Sequence, residues 1–304
     1  MDKKKGLKIA KNIAKIIVTV GALYWVFSKV SLKDLKEAVI NSNPLYLFFA
    51  LVAYSISIFI SSSRLLTFLK AIGLDVTEKY NLKLYQLGLF YNLILPGGVG
   101  GDGYKIFFLR KRFNIKGRKL FTALFLDRLS GLWALCLIIA ALVTYMPQLG
   151  IPNYLTIILF IIGSVLYYFI VTKFFKEYKA TFLRAHLKAI GVQSMQVLAA
   201  ILILYALGFS GKFSPYLFLF LASSLVSIIP FSVGGLGMRE LVIMWGAGIF
   251  QVDSHNAVLI TLLFYIISAL VALSGIYFIF HPQAIGEDKL PSAEEVEQSQ
   301  KLEE

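Results

Sequence analysis

The sequence predicts an all-α polytopic membrane protein, with about six transmembrane helices and two re-entrant broken-helix hairpins in an inverted repeat. Three observations lead to this fold class. The 304 residues are 58% hydrophobic and only 15% charged, with a mean hydropathy of +0.75, whereas soluble domains carry about 25% charged residues. Apolar runs recur that approach the roughly 20 residues needed to cross a hydrocarbon core. Two glycine-rich segments interrupt this apolar pattern at related places.

The first apolar run, Ile9–Phe27, follows a cluster of lysines. A signal peptide has the same order of features, but no small-residue cleavage site follows the run. Residues 28–39, SKVSLKDLKEAV, instead resemble an amphipathic surface helix. We therefore expect a retained first transmembrane helix. Five further spans are predicted at Pro44–Ser62, Leu120–Met146, Tyr154–Thr172, Ile190–Phe209 and Ala257–Phe280.

The distribution of basic residues determines how the segment 84–109 must run. Residues 110–119, RKRFNIKGRK, contain six basic residues in ten, and short cytoplasmic loops are enriched in Lys and Arg. A single crossing by 84–109 would place this loop and the basic loop 173–188 outside. A segment that enters the membrane and returns to the same side, with arms at Leu84–Leu95 and Tyr104–Leu109, keeps both loops in the cytoplasm. We therefore predict a hairpin, cytoplasmic N- and C-termini, and a multi-pass protein of the cell (plasma or inner) membrane.

The two glycine-rich segments share a pattern. LPGGVGGDGYK (Leu95–Lys105) and IPFSVGGLGMR (Ile229–Arg239) align at the proline, the valine, a glycine pair, a third glycine and a final basic residue. Proline and glycine break helices and permit chain reversal. The predicted topology brings the second motif in from the opposite face, so repeats at about 44–146 and 190–280 would be inverted. Irregular backbone at membrane depth must be buried in protein or line a cavity. We therefore predict a polar pocket shared by both breaks.

Several residues at these breaks are candidates for binding an anion. A half-helix that begins at the glycines points its free N–H groups into the membrane, which favours an anion such as phosphate. We place Lys105 and Arg239 in the first turns of these half-helices, where they either contact such a ligand or snorkel to the interface. Asp102 and Glu240 are helix caps, counter-ions to these cations, or proton-coupling carboxylates.

Asp127 and Arg128 lie within a predicted span, where charges are costly and face a partner or a cavity. They form either a structural ion pair or part of a pathway. Because neighbouring residues on a helix face different directions, we expect each to pair elsewhere. No metal or cofactor is expected, since one cysteine and three scattered histidines give no metal-ligand spacing. The GxGxxG match at Gly98 follows no strand, so no nucleotide is expected there. We also expect no nucleic-acid partner.

Three segments resemble one known family: YNLILPGGVGGDGYKIFFLRKRF, FTALFLDRLSGL and SLVSIIPFSVGGLGMRE, in this order. They look like the lysylphosphatidylglycerol synthase transmembrane region, a flippase-like domain also found at the N-terminus of multiple peptide resistance factors. The resemblance covers about Ile9–Phe280. It implies an all-helical domain that moves or accommodates charged lipids. The residues that match its motifs are Asn92, Pro96, Gly100, Gly101, Asp127, Arg128, Gly234, Gly235, Gly237, Arg239 and Glu240. The sequence departs from the family at Lys105, where the resemblance leads us to expect arginine.

The resemblance and the residues together give the functional expectation. We expect a flippase or scramblase-like transporter for lipids with anionic or zwitterionic headgroups, or for a polyprenyl-linked lipid. Asp102, Lys105 and Pro230 would belong to its pathway. A non-catalytic lipid-binding subunit of a lipid-modifying or lipid-linked glycan enzyme is the alternative. We expect a flippase-like membrane domain at residues 1–282 and an acidic, disordered tail at residues 283–304. Lipid-aminoacylating members carry a soluble catalytic domain after the membrane part, so we expect no enzyme activity from these two regions.

Overall fold

The computed structural model describes residue 40 and residues 42–94, 100–226 and 238–286. Within these ranges the regular secondary structure is helical, without strands. The α-helices in chain order are α1 (Pro44–Ala71), α2 (Glu78–Ile94), α3 (Gly100–Phe113), α4 (Gly117–Val143), α5 (Asn153–Phe174), α6 (Phe182–Ala206), α7 (Phe213–Val226), α8 (Met238–Phe250), α9 (Ser254–Leu273) and α10 (Ile276–Phe280). Short 3₁₀ turns lie at Pro147–Leu149, Lys176–Thr181 and Pro282–Ile285.

Five long apolar segments match the five predicted spans that the structure describes. They cover Pro44–Ala71, Gly117–Val143, Asn153–Phe174, Lys176–Ala206 and Asn256–Phe280. The predicted first span, Ile9–Phe27, lies outside the described residues. Helix α5 differs from the others because its side chains are nearly all exposed in the isolated chain, with Val171 its one buried residue. A helix that is apolar on all sides and lies at the edge of a bundle is suited to contact with lipid.

Helices α2 and α3 form an antiparallel hairpin, as the charge distribution predicts. Asn92, near the end of α2, contacts Gly101 at the start of α3. The rings of Tyr80 and Phe113, at the other ends of the two helices, lie 6.0 Å apart. The arms are longer than predicted, because α2 has 17 residues and α3 has 14. The chain therefore returns to the end of the bundle from which it started.

The two halves of the chain run in opposite directions. Helices α1 and α6, the first of each predicted repeat, pack against each other along their lengths and are antiparallel. The start of α1 meets the end of α6, where the N–H of Asn43 donates to the carbonyl of Ala206. At the far end, the Lys188 ammonium of α6 donates to the Ser63 carbonyl of α1.

Helices α7 and α8 form the second hairpin, with Phe218 and Phe250 in contact at 5.4 Å. Its base lies at the end of the bundle opposite to the base of the first hairpin, because α7 begins there beside Tyr205 at the end of α6. The described parts of the two hairpins therefore have the inverted arrangement that the repeated motif predicts.

The basic residues collect at one end of the bundle. The starts of α2, α4 and α6 meet the ends of α1, α3 and α5 at this basic end. A hydrophobic cluster that includes Leu69, Leu109, Leu120 and Tyr178 joins these helix ends. The loop 110–119 and the segment 173–188 thus lie on the same side of the bundle, in agreement with the sequence prediction.

The chain beyond α10 is bound to the same end. The Lys83 ammonium in α2 donates to the Ala284 carbonyl at 2.6 Å, and the Arg112 guanidinium in α3 donates to the Ile285 carbonyl at 2.8 Å. The tail was predicted to begin at residue 283. The described chain continues in this bound form through Gly286, and residues 287–304 lie outside it.

Candidate functional site

The first hairpin is held closed by direct contact between two backbones. A Cβ atom at Gly101 would lie 1.9 Å from the carbonyl oxygen of Gly88 on the facing helix, which is closer than any side chain allows. The Asn92 side chain accepts a hydrogen bond from the Gly101 N–H at 2.8 Å, which satisfies one of the free donors at the start of α3. Glycine at 101 and asparagine at 92 therefore position the residues that follow.

Asp102 is the centre of an ionic cluster beside this contact. Its Oδ1 atom lies 2.6 Å from the Lys105 ammonium, one turn further along α3. Its Oδ2 atom accepts a hydrogen bond from Nε of Arg128 on α4. We call Asp102, Lys105 and Arg128 the open cluster, because the Arg128 side chain is 43% exposed whereas those of Asp102 and Lys105 are 15% and 6% exposed.

Lys105 is the enclosed member of the open cluster. Its ammonium lies 4.7 Å from the centre of the Tyr85 ring on α2, a cation–π contact. Its aliphatic chain covers Gly88, where an added Cβ would lie 2.9 Å from the lysine Cε atom. The side chain therefore fills the space that the glycine leaves. Arg128 is the cation of this cluster that an approaching ligand can reach.

A second ionic contact lies on the next residue of α4. The Arg64 guanidinium of α1 binds Asp127 through two hydrogen bonds, Nε to Oδ1 at 2.8 Å and Nη2 to Oδ2 at 3.1 Å. The two side chains are 7% and 10% exposed, and we call them the closed pair. Gly131, one turn along α4, leaves room for the arginine, since a Cβ there would lie 3.0 Å from Nη1. Bidentate geometry and burial make this pair a brace between α1 and α4.

The charges of the two groups do not balance in the same way. The closed pair is neutral, whereas the three residues of the open cluster are two cations and one carboxylate, with one excess positive charge among the described residues. Excess positive charge that is partly shielded from water attracts anions, because interactions between charges strengthen as the local dielectric falls. The exposed end of this excess charge is the Arg128 guanidinium.

The structure confirms several sequence predictions about these residues. Asp127 and Arg128 pair with separate partners, as their adjacent positions on a helix require. Of the alternatives for Asp102, the structure shows the counter-ion to Lys105. One detail was wrong, because α3 begins at Gly100 and Lys105 therefore lies in its second turn, not its first.

Sequence reasoning missed Arg64 and Tyr85. The predicted span ends at Ser62, which places Arg64 in the loop that follows, but α1 continues to Ala71 and buries it. An available signal was its position in SSSRLLTF, where an apolar stretch continues on its C-terminal side. Lys188, also counted as a loop charge, is half-buried on α6 and donates to Ser63 and Thr67. Nothing in the sequence distinguishes Tyr85 from the other tyrosines.

The second motif can be described only in part. Arg239 and Glu240 fall in the first turn of α8. The remaining predicted members, Pro96, Pro230, Gly234, Gly235 and Gly237, lie outside the described residues, as does the predicted meeting of the two hairpin tips. The polar pocket shared by both breaks therefore stays a prediction.

These features define an all-helical integral membrane protein. The helices are long and apolar, the first hairpin returns to its own end of the bundle, and the helices contain paired charges. The family model described as lysylphosphatidylglycerol synthase TM region matches residues 12–275. The chain belongs to this family.

A relative supports the same class. The chain is similar to a UPF0104 membrane protein of Methanocaldococcus jannaschii, with 25% identity over 123 residues. This match covers 40% of the present chain and 37% of the relative, so the chain spans well under half the length of the curated relative it matches. The match supports membership of a membrane protein family.

Proposed function

We propose that the protein is a flippase or scramblase-like transporter of lipids with charged headgroups, and that Arg128 holds the lipid phosphate. The observation that carries this proposal is the open cluster, in which the partly exposed Arg128 guanidinium shares Asp102 with Lys105 beside the contact between Gly88 and Gly101. The family membership supports the same class of ligand, since lysylphosphatidylglycerol is a phospholipid.

The geometry of Asp102 provides for exchange of partners. Because its two oxygens bind different cations, an incoming phosphate that takes over Arg128 leaves Asp102 still paired with Lys105 at 2.6 Å. The carboxylate therefore never becomes a buried charge without a partner, which would cost several kcal/mol. When the lipid leaves, Asp102 binds Arg128 again. The resting and loaded states are thus both charge-compensated, and a reversible transport cycle requires this.

The proposed transport needs no nucleotide site in the chain. A phosphate that enters at Arg128 remains within the bundle while the acyl chains stay in lipid, and the motion is passive or coupled to an ion. While phosphate holds Arg128, the Oδ2 atom of Asp102 is released and can accept a hydrogen bond from a headgroup amine. In this proposal the protein moves lipids and does not modify them.

The test uses purified protein in liposomes that contain a trace of fluorescent phosphatidylglycerol, with a membrane-impermeant quencher added outside. Wild type is expected to expose inner-leaflet label to the quencher faster than empty liposomes. Arg128→Gln is expected to slow this by about tenfold, equivalent to about 1.4 kcal/mol. Its thermal stability should change little, because the Arg128 side chain is 43% exposed and Asp102 remains paired with Lys105.

Arg184→Gln is the matched control, because Arg184 is an exposed arginine at the start of α6, away from the open cluster. It should transport as wild type does. Wild-type liposomes that are no faster than empty ones would refute the transport proposal. If such a protein still retained phospholipid through purification, the lipid-binding accessory role would replace it.

A further inference from the structure

A basic cleft lies at the basic end of the bundle, separate from the open cluster. It has a volume of about 480 Å³ and lies between the start of α4, the end of α5 and the 3₁₀ turn that follows. Five cations line it, with one carboxylate, Glu177, among them. The cations are Lys116, Arg118, Lys119, Lys173 and Lys176.

The five cations are exposed and carry no ion pair within the described parts of the chain. Their mutual repulsion is therefore not relieved by neighbouring carboxylates, and one glutamate cannot neutralise them. A cleft with about four excess positive charges complements a ligand with several negative ones. This differs from the open cluster, whose excess is a single charge.

The walls of the basic cleft continue into surfaces suited to acyl chains. Phe174 lines the cleft and is among the most exposed apolar side chains of α5. On α4, Phe121 and Phe125 are exposed and stack on each other with ring centres 6.1 Å apart. A soluble anion would not contact these apolar surfaces. A membrane lipid would place its headgroup in the cleft and pack its acyl chains against the exposed aromatic side chains.

We infer that the basic cleft docks a phospholipid whose headgroup carries at least two negative charges, taken from the leaflet at this end of the bundle. Clusters of Lys and Arg at membrane surfaces recruit such lipids, because the anionic headgroups concentrate there. The five cations bind the phosphates, and the exposed aromatic side chains of α4 and α5 contact the acyl chains.

The basic cleft also lies on a continuous exposed stripe that leads to the open cluster. Arg118, Phe121, Phe125 and Arg128 are all exposed and follow one another at intervals of three, four and three residues, which places them on one face of α4. The two arginines are separated by about 15 Å along the helix, at about 1.5 Å per residue. The role of this stripe as a path to Arg128 rests on the proposed function, but docking at the cleft does not.

Docking is tested by native mass spectrometry of the full chain in detergent micelles supplied with cardiolipin, which has two phosphates, or with phosphatidylcholine. Wild type is expected to retain cardiolipin selectively. The triple variant Lys116→Gln, Lys119→Gln, Lys173→Gln should bind cardiolipin more weakly by about tenfold or more. The equally charged triple Lys111→Gln, Lys179→Gln, Lys212→Gln, at exposed lysines outside the cleft, should bind as wild type does.

Three results would overturn the inference. The first is that wild type and the cleft triple variant bind cardiolipin equally. The second is that both triple variants lose the same amount of cardiolipin binding. The third is that glycerol phosphate binds as tightly as cardiolipin, which would indicate a site for soluble anions. The single variants Lys119→Gln and Lys173→Gln, with smaller expected losses, decide the matter if the triple variant folds poorly. Since the assay measures retention of lipid, its result is independent of the transport assay.

Discussion

Asp127 and Arg128 are neighbours on α4, yet they belong to two ionic groups with different surroundings. The closed pair joins Asp127 to Arg64 by two hydrogen bonds and leaves at most a tenth of either side chain exposed. The open cluster joins Arg128 to Asp102 by one guanidinium nitrogen and leaves 43% of the arginine side chain exposed. One turn of one helix therefore presents a fixed charge on one side and an exchangeable one on the other.

The difference separates structural from functional ion pairs by geometry rather than by residue type. A buried bidentate pair between two helices cannot release either partner without leaving a buried charge. A carboxylate shared by two cations can release one of them and remain neutralised by the other. The proposed transport cycle requires the second arrangement, whereas the first holds α1 and α4 together.

The largest effect is expected from breaking the closed pair. Asp127→Asn leaves the Arg64 guanidinium buried without a counter-charge and should lower the free energy of unfolding by about 3–5 kcal/mol. Unfolding by SDS in mixed micelles provides the measurement. Replacing both partners, Arg64→Met with Asp127→Leu, should recover most of the loss, because paired apolar side chains substitute well for a buried ion pair. A double variant as unstable as the single one would contradict this interpretation.

A smaller loss is expected from Gly101→Ala, which tests how the open cluster is positioned. The added methyl group would meet the Gly88 carbonyl oxygen at 1.9 Å, so the hairpin arms must move apart. Overpacking of this kind costs about 1–3 kcal/mol. The control is Gly163→Ala in α5, where a Cβ would meet no atom within 4 Å. This control should be neutral or slightly stabilising, and equal losses in the two variants would argue against a close backbone contact.

The smallest effect on stability, with the clearest effect on function, is expected from Asp102→Asn. The asparagine keeps an oxygen that accepts from the Lys105 ammonium, which also keeps its contact with the Tyr85 ring at 4.7 Å, so loss of the carboxylate charge should cost about 1.5 kcal/mol. Arg128 then lacks the group that competes with phosphate. The variant should retain more phospholipid in native mass spectrometry while it transports more slowly, because release becomes difficult. Weaker retention together with faster transport would contradict the partner-exchange mechanism.

Much of the architecture could be predicted from the sequence. Hydropathy marks the spans, and the dense basic loop 110–119 requires the first hairpin to return to its own side. The ion pair between Asp102 and Lys105 follows from their spacing of three residues, since such residues share a helix face. The separate partners of Asp127 and Arg128 follow from the 100° between neighbours on a helix.

The partners that lie far apart in sequence could not be predicted. Arg64 and Asp127 are 63 residues apart, and only the packing of α1 against α4 brings them together. Arg64 was assigned to a loop because charge counting treats an arginine at the end of an apolar run as interfacial. Gly88 belongs to no motif, and its role depends on the facing Gly101. The roles of Arg64 and Gly88 depend on tertiary contacts, which the local sequence pattern does not reveal.

The 3₁₀ segment Pro282–Ile285 has a practical consequence. Its carbonyl groups accept hydrogen bonds from Lys83 on one arm of the first hairpin and from Arg112 on the other. It therefore acts as a clasp across the base of the hairpin that bears the open cluster. A purification tag or reporter fused directly behind Ile285 would pull on this clasp, so fusion partners are better separated from it by a long linker.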